Sequence, residues 1–190
     1  MTKGRGMSLE ELVELVPPPR QPFEVGTLKQ WRAVEKKLGT ELPLDYREVV
    51  FAYGSGLFAE FYRVYNPFAV SEHIKLVPSA ERVCRFNRES RSSFPMRFPY
   101  PYFPEPGGLL PWGNDVNGND YFWLTEGPPS AWVVVQDENR GGGIKVQPYS
   151  MTGFLVAVLT RKVKALASGY PAKSDRIFEQ WGKGQQAGPN

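Results

Sequence analysis

Between Leu109 and Gln147 four short strand-forming runs follow one another, and no gap between them is long enough for a crossover helix. The runs are Leu109 to Trp112, Tyr121 to Thr125, Ala131 to Gln136 and Ile144 to Gln147, rich in aromatic and β-branched residues. Such residues fit a pleated, half-buried surface. Asn117-Gly118 separates the first two and Gly141-Gly142-Gly143 the last two. Asn-Gly is a strong hairpin signal because both residues tolerate a positive φ. Parallel neighbours would need a connection of a dozen or more residues, so the sheet is expected to be mainly antiparallel.

Helical signals flank this region. Ser8 with Glu11 forms a capping box for a short helix through Val16, which Pro17, Pro18 and Pro19 stop. Thr27 is an N-cap for a helix carrying Trp31, Val34 and Leu38, closed by Gly39. Pro43 suits the first helical position of a third helix to Tyr53, which Gly54 and Gly56 end. Leu57 to Asn66 reads as one strand, and a helix is expected from Ser79 to Ser90, just after Pro78. Ser150 caps a last strong helix through Leu159; a short helix including Ile177, Phe178 and Trp181 precedes a Gly/Gln/Pro tail expected to be disordered. The order predicts an α+β fold: N-terminal helices, a central mainly antiparallel sheet, and a C-terminal helix packed on the sheet.

Composition narrows the class. A chain of 190 residues, 41% hydrophobic and 23% charged, can bury a sizeable core. One cysteine, Cys84, allows no internal disulfide and fits a reducing, cytoplasmic setting. No apolar run approaches the ~20 residues that span a bilayer, and the N-terminus lacks the apolar core of a signal peptide. A net charge of +3 does not require a nucleic-acid partner.

The chemical motifs fail one by one. Asp115, Asn117, Asn119 and Glu126 sit at positions one, three, five and twelve of a calcium-loop pattern, but Asp120 stands where its glycine must be. His73 and Cys84 are the only histidine and cysteine, which excludes a zinc site of the usual type. On one helix their eleven-residue separation would leave them ~16 Å apart, far beyond the reach of a base. Gly54-Ser55-Gly56 lacks the Lys-Ser/Thr of a phosphate loop and lies between helix and strand, the reverse of the required order. Neither catalysis nor a cofactor or metal is expected.

What remains is surface. Arg82, Arg85, Arg88, Arg91 and Arg97 form the densest basic run, but a step of three residues spreads them around a helix. The stretch from Phe94 to Pro106 holds five prolines and five aromatics. Prolines pre-order a backbone, and Tyr, Trp and Arg dominate interface hot spots; the competing reading has these rings capping the sheet's apolar edge inside the monomer. The candidates for partner contact are Arg85, Arg88, Tyr100, Tyr102, Phe103, Asp115, Asn117 and Asp120, the last three at the hairpin.

Several pieces in order carry a family resemblance: Trp31, Val34-Glu35 and Leu38-Gly39, then Leu42-Pro43-Leu44-Asp45-Tyr46, Gly54-Ser55-Gly56 and Asn66-Pro67-Phe68. Leu109-Leu110-Pro111-Trp112-Gly113, Asn117-Gly118-Asn119-Asp120, Trp123, Trp132-Val133-Val134-Val135 and Phe154-Leu155 complete the series. Over roughly residues 27 to 160 it resembles the SUKH superfamily of fungal cell-wall-synthesis regulators and bacterial immunity proteins. The resemblance implies a non-catalytic domain spanning 27–170, preceded by a helix and proline linker over 1–26 and followed by 171–190. It further implies a protein partner, a cognate toxin domain neutralised by direct binding. The alternatives are an intracellular regulatory scaffold binding a cellular protein, or a nucleic-acid-binding module using the Arg82 to Arg91 helix. Many inhibitors of basic nucleases are acidic, and this chain is not.

Overall fold

The computed structural model describes residues 8–139, 143–163 and 176–181. Three helices open it: α1 (Leu9–Leu15), α2 (Leu28–Leu38) and α3 (Leu44–Tyr53). Both capping boxes form; at α2 the Thr27 N–H donates to Gln30 Oε1 at 2.8 Å, and the Gln30 N–H returns to Thr27 Oγ1 at 3.3 Å. Pro43 is the N-cap of α3, one place before its expected position. Gly54 ends that helix at φ +69, and a Cβ there would meet the Phe23 carbonyl oxygen at 2.0 Å. Both conditions demand glycine. The connector after α1 therefore lies tight against α3 and is tied down further. Glu24 accepts from Ser55 Oγ and from the Val70 N–H (2.9 Å), while Asn66 Nδ2 donates to the Glu24 carbonyl at 3.0 Å.

Among the described residues, seven strands form one antiparallel sheet in the order β6-β5-β4-β3-β2-β1-β7. They are β1 (Gly56–Phe58), β2 (Tyr62–Val64), β3 (Leu109–Asp115), β4 (Asp120–Leu124), β5 (Val133–Glu138), β6 (Gly143–Gln147) and β7 (Phe178–Gln180). The single strand expected over Leu57 to Asn66 is instead the β1–β2 hairpin. Ala59 and Glu60 turn it at φ +52 and +55, the left-handed pair of a tight hairpin. Neither is Gly, Asn or Asp, so the turn leaves no compositional mark. The helix expected around Ile177 to Trp181 is β7, which pairs with β1. It covers backbone groups that an edge strand would leave unpaired, and Phe178 packs its ring on Tyr53 and Phe58 at centroid distances of 5.1 and 4.8 Å. The Gly/Gln/Pro tail, and Gly141 and Gly142 of the triple-glycine turn, lie outside the described residues.

Helix α4 (Leu76–Ser93) begins three residues before the expected Ser79. Pro78 falls in its first turn, where the missing N–H has no intrahelical partner to lose. Helix α5 (Met151–Leu159) starts at its Ser150 cap, whose Oγ accepts from the Gly153 N–H at 3.3 Å. Strand alternation then divides the core. On one face, α5, α3 and α1 cover Leu110, Trp112, Tyr121, Trp123 and Val134. On the other, α4 and the proline-aromatic stretch cover a smaller cluster of Cys84, Phe98, Tyr102, Leu109, Phe122 and Val135.

Candidate functional site

The hairpin residues part company. Asp115 is fully buried and accepts four hydrogen bonds: the Asn117 N–H (2.9 Å), the Asn119 N–H (3.1 Å), Asn119 Nδ2 (2.9 Å) and the Tyr121 hydroxyl (2.8 Å). It organises the turn from within, and the expectation that it faces a partner is corrected: its oxygens are already engaged. Asn117 is exposed at the tip, and Asp120 begins β4 on the α4 side of the sheet. Among the described residues no group of three or more acidic, histidine or cysteine side chains is placed to hold a metal ion.

The basic helix and the proline-aromatic stretch also divide. Arg85 is exposed, but Arg88 and Arg91 turn inward. Arg88 Nη1 donates to the Phe103 carbonyl; Arg91 donates to the Tyr100 carbonyl (3.2 Å) and to both Glu105 oxygens (3.1 and 2.8 Å). These bonds hold the stretch against α4, and the Arg91 bonds keep the Glu105 carboxyl below its usual range. Tyr102 is fully buried and Phe103 and Tyr100 half-buried, so the rings mainly cap the second face. Tyr102 as a partner-contacting ring is therefore corrected: the ring is spent inside the monomer. Phe94 (64%) and Met96 (96%) are exposed instead.

Beside this surface lies a cleft of about 580 Å³ lined by Arg82, Phe86, Asn87, Phe98, Asp120 and Asn139, with Arg97 at its wall. Sheet register places Asp120 in its lining. Arg63 pairs with Asn114, Asn114 with Asp120, and Asp120 with Asp137, a polar row across four strands. Arg97 Nη2 reaches Asp137 Oδ1 at 2.6 Å and the Glu138 carbonyl at 3.3 Å. Asn139 Nδ2 donates to Asp120 Oδ2 at 3.0 Å. Burial pushes the Asp120 carboxyl up to about 6; the bond from Asn139 opposes this, the charges of Asp137 and Asp115 reinforce it, and Arg82 opposes it least. Asp137 is also raised by burial, against the pull of Arg97.

Nucleophilic chemistry finds no partner here. Cys84 is buried, its thiol donates to the Leu109 carbonyl at 3.4 Å, and burial pushes it up to about 12. His73 is exposed before α4 begins.

A family model, SUKH_6, described as SMI1-KNR4 cell-wall, matches residues 28–155. The chain belongs to the SUKH superfamily. The match runs from α2 into α5 and takes in the cleft and the polar row; α1 and β7 lie outside it. No curated protein and no solved structure matches the chain. SUKH domains are in general non-catalytic immunity or regulatory domains that act through protein contacts. Among the described residues no helix is long and apolar enough to cross a membrane.

Within this SUKH fold, sequence reasoning missed Phe86 and Arg97 as cleft residues, Met96 as an exposed side chain and Asp137 as the buried partner of Arg97. Phe86 and Arg97 stand in the basic run that drew attention, but nothing local marks Asp137. Its place beside Asp120 depends on the register of β4 with β5, set across a connection that predicts no register. A second exposed apolar patch, formed by Leu28 (70%), Leu44 (66%) and Phe51 (68%), surrounds a groove of about 300 Å³ where Arg47 stacks on Trp31 at 5.4 Å. Unlike the first, it surrounds no buried charge.

Proposed function

We propose that the protein is a cytoplasmic immunity protein that neutralises a cognate toxin by stoichiometric binding, without turnover. The observation that carries this reading is the exposure of Phe86 (64%), which lines the charged cleft, together with that of Phe94, Met96 and Arg85. Aromatic rings, methionine and arginine on a pre-ordered backbone are the side chains that interface hot spots favour. Arg91 and Arg88 anchor the segment that presents them, so little conformational freedom is lost on binding. Of the residues singled out from sequence, Arg85 and Asn117 are exposed for such a contact, and Arg88, Tyr100, Phe103 and Asp120, half-buried, offer part of their surface.

Co-expression with the toxin, identified by mass after affinity capture, should restore growth of a sensitive host. Phe86→Ala combined with Met96→Ala should weaken the complex at least about tenfold, as loss of a hot-spot side chain does. Full-strength binding by that double variant would remove this face from the interface. The cell-wall description of the family model favours a second reading, a regulatory scaffold binding a cellular protein. Capture of such a protein, with no toxin, decides for it.

A further inference from the structure

The groove formed by α1, α2 and α3 gathers three exposed apolar side chains on the outside of the helices that cover the first sheet face. Leu28, Leu44 and Phe51 all line it, with Leu9 of α1 and Trp31 of α2. Single exposed apolar residues are ordinary, whereas a group converging on one groove marks a contact surface. Charge is divided across it. Leu44 and Phe51 stand almost two turns apart on one line of α3, and Arg47 and Glu48 fall on opposite sides of that line. Arg47 stacks on Trp31 and pairs with Glu35 at 3.6 Å, so α2 lies on the Arg47 side. The exposed charges of α2 are all basic: Lys29, Arg32 and Lys36 share one face beside Leu28, and Lys37 reaches Glu81 at 3.7 Å. Ala52, on the Glu48 side of α3, lines the groove together with Leu9, and the charges that α1 exposes are acidic, Glu10 and Glu14. Among the described residues, Lys29, Arg32, Lys36, Glu14 and Glu48 make no ion pair.

An apolar centre between a basic flank and an acidic flank is complementary to itself. A two-fold axis along the centre lays each flank on the flank of opposite sign in the other copy. We propose that this surface binds a second copy of the chain, giving a two-fold homodimer through α1, α2 and α3 with Leu28, Leu44 and Phe51 at its centre. A partner of one charge sign would meet repulsion along one of the flanks, which favours the second copy as occupant. The inference stands apart from the immunity reading. Helix α4, the cleft and Phe86 lie across the sheet from this groove, so each dimer would present two such surfaces to a partner.

Sedimentation velocity on the full chain, at concentrations from about 1 to 200 μM, follows the assembly. The chain should pass from monomer to dimer within that range, and more readily at low salt. Phe51→Asp and Leu44→Asp, both at exposed positions, should each weaken dimerisation at least about tenfold. Charge reversal tests the two-fold pairing. Lys29→Glu, Arg32→Glu and Lys36→Glu together turn the basic flank acidic, and Glu14→Lys with Glu48→Lys turns the acidic flank basic. Each of these two variants alone should be monomeric, and an equimolar mixture should form a heterodimer. Mixing cannot rescue a misfolded chain, so recovery separates loss of contact from loss of folding. A monomer throughout the concentration range, dimerisation unchanged by Phe51→Asp, dimers of either charge variant alone, or no heterodimer from the mixture would each overturn the proposal. So would a chain that stays monomeric and captures a different protein through this groove, with Phe51→Asp abolishing the capture.

Discussion

On one face of the sheet α5 buries all nine of its residues, while on the other α4 buries six of eighteen. The first face is sealed by rings: Phe154 meets Tyr121, Trp112 and Tyr62 at centroid distances of 5.5, 6.0 and 6.5 Å. The second closes over six buried apolar residues and then opens into a cleft lined by Asp120, Arg82 and Arg97. One sealed face supplies the hydrophobic stabilisation that a domain of this size needs. The other is thereby free to hold groups that are unfavourable in the isolated molecule, which is where binding sites are found.

The contrast is sharpest at Phe154. Phe154→Ala should cost about 3–5 kcal/mol in urea unfolding, the loss expected for a buried ring whose cavity collapses only partly; a cost below about 1 kcal/mol would break the assignment of stability to this face. Asp115→Ala should follow at about 3 kcal/mol, because it strands the Asn119 side chain and the Tyr121 hydroxyl. Asn117→Ala, two residues away on the exposed tip, should stay within about 0.5 kcal/mol.

Asp120 tests the second face with the opposite sign. Its carboxyl titrates near 6 in the fold against 3.8 for the free group, so the folded state binds the proton more tightly. Its contribution to stability is therefore lost as pH rises through that window and stays lost above 6. Asp137, raised as well, acts in the same direction. Asp120→Asn should gain on the order of 2 kcal/mol over the parent at pH 8 and nothing at pH 4. An equal gain at both values would show that burial and repulsion of the charge are not the cause. The Cys84 thiol, held up near 12, should resist iodoacetamide at pH 8 until denaturant is added. Arg85→Ala should move stability least, by less than about 0.5 kcal/mol, and any loss of partner binding it causes is then a surface effect.

Much of the first face was legible. The capping residues, the Asn117-Gly118 turn and the alternating runs act over a few residues, so local rules place them. The misses have the same physical root. Ala59 and Glu60 adopt a left-handed turn that their side chains do not favour, because β1 and β2 are each held by a further strand. Phe178 to Gln180 carries apolar spacing compatible with helix or strand, and only the open edge of β1 decides. Tyr102 and Asp115 were chosen for their chemistry, and burial assigned that chemistry to the interior.

From its residues alone, the chain determined its class: consecutive short strands without room for crossovers force an antiparallel sheet, and the flanking caps force helices against it. Which aromatics became core, and that Asp120 would stand beside Asp137 under Arg97, was decided only when the sheet assembled. Hairpin signals act through neighbours in sequence, whereas register across β4 and β5 and closure by α4 depend on packing between segments far apart in the chain.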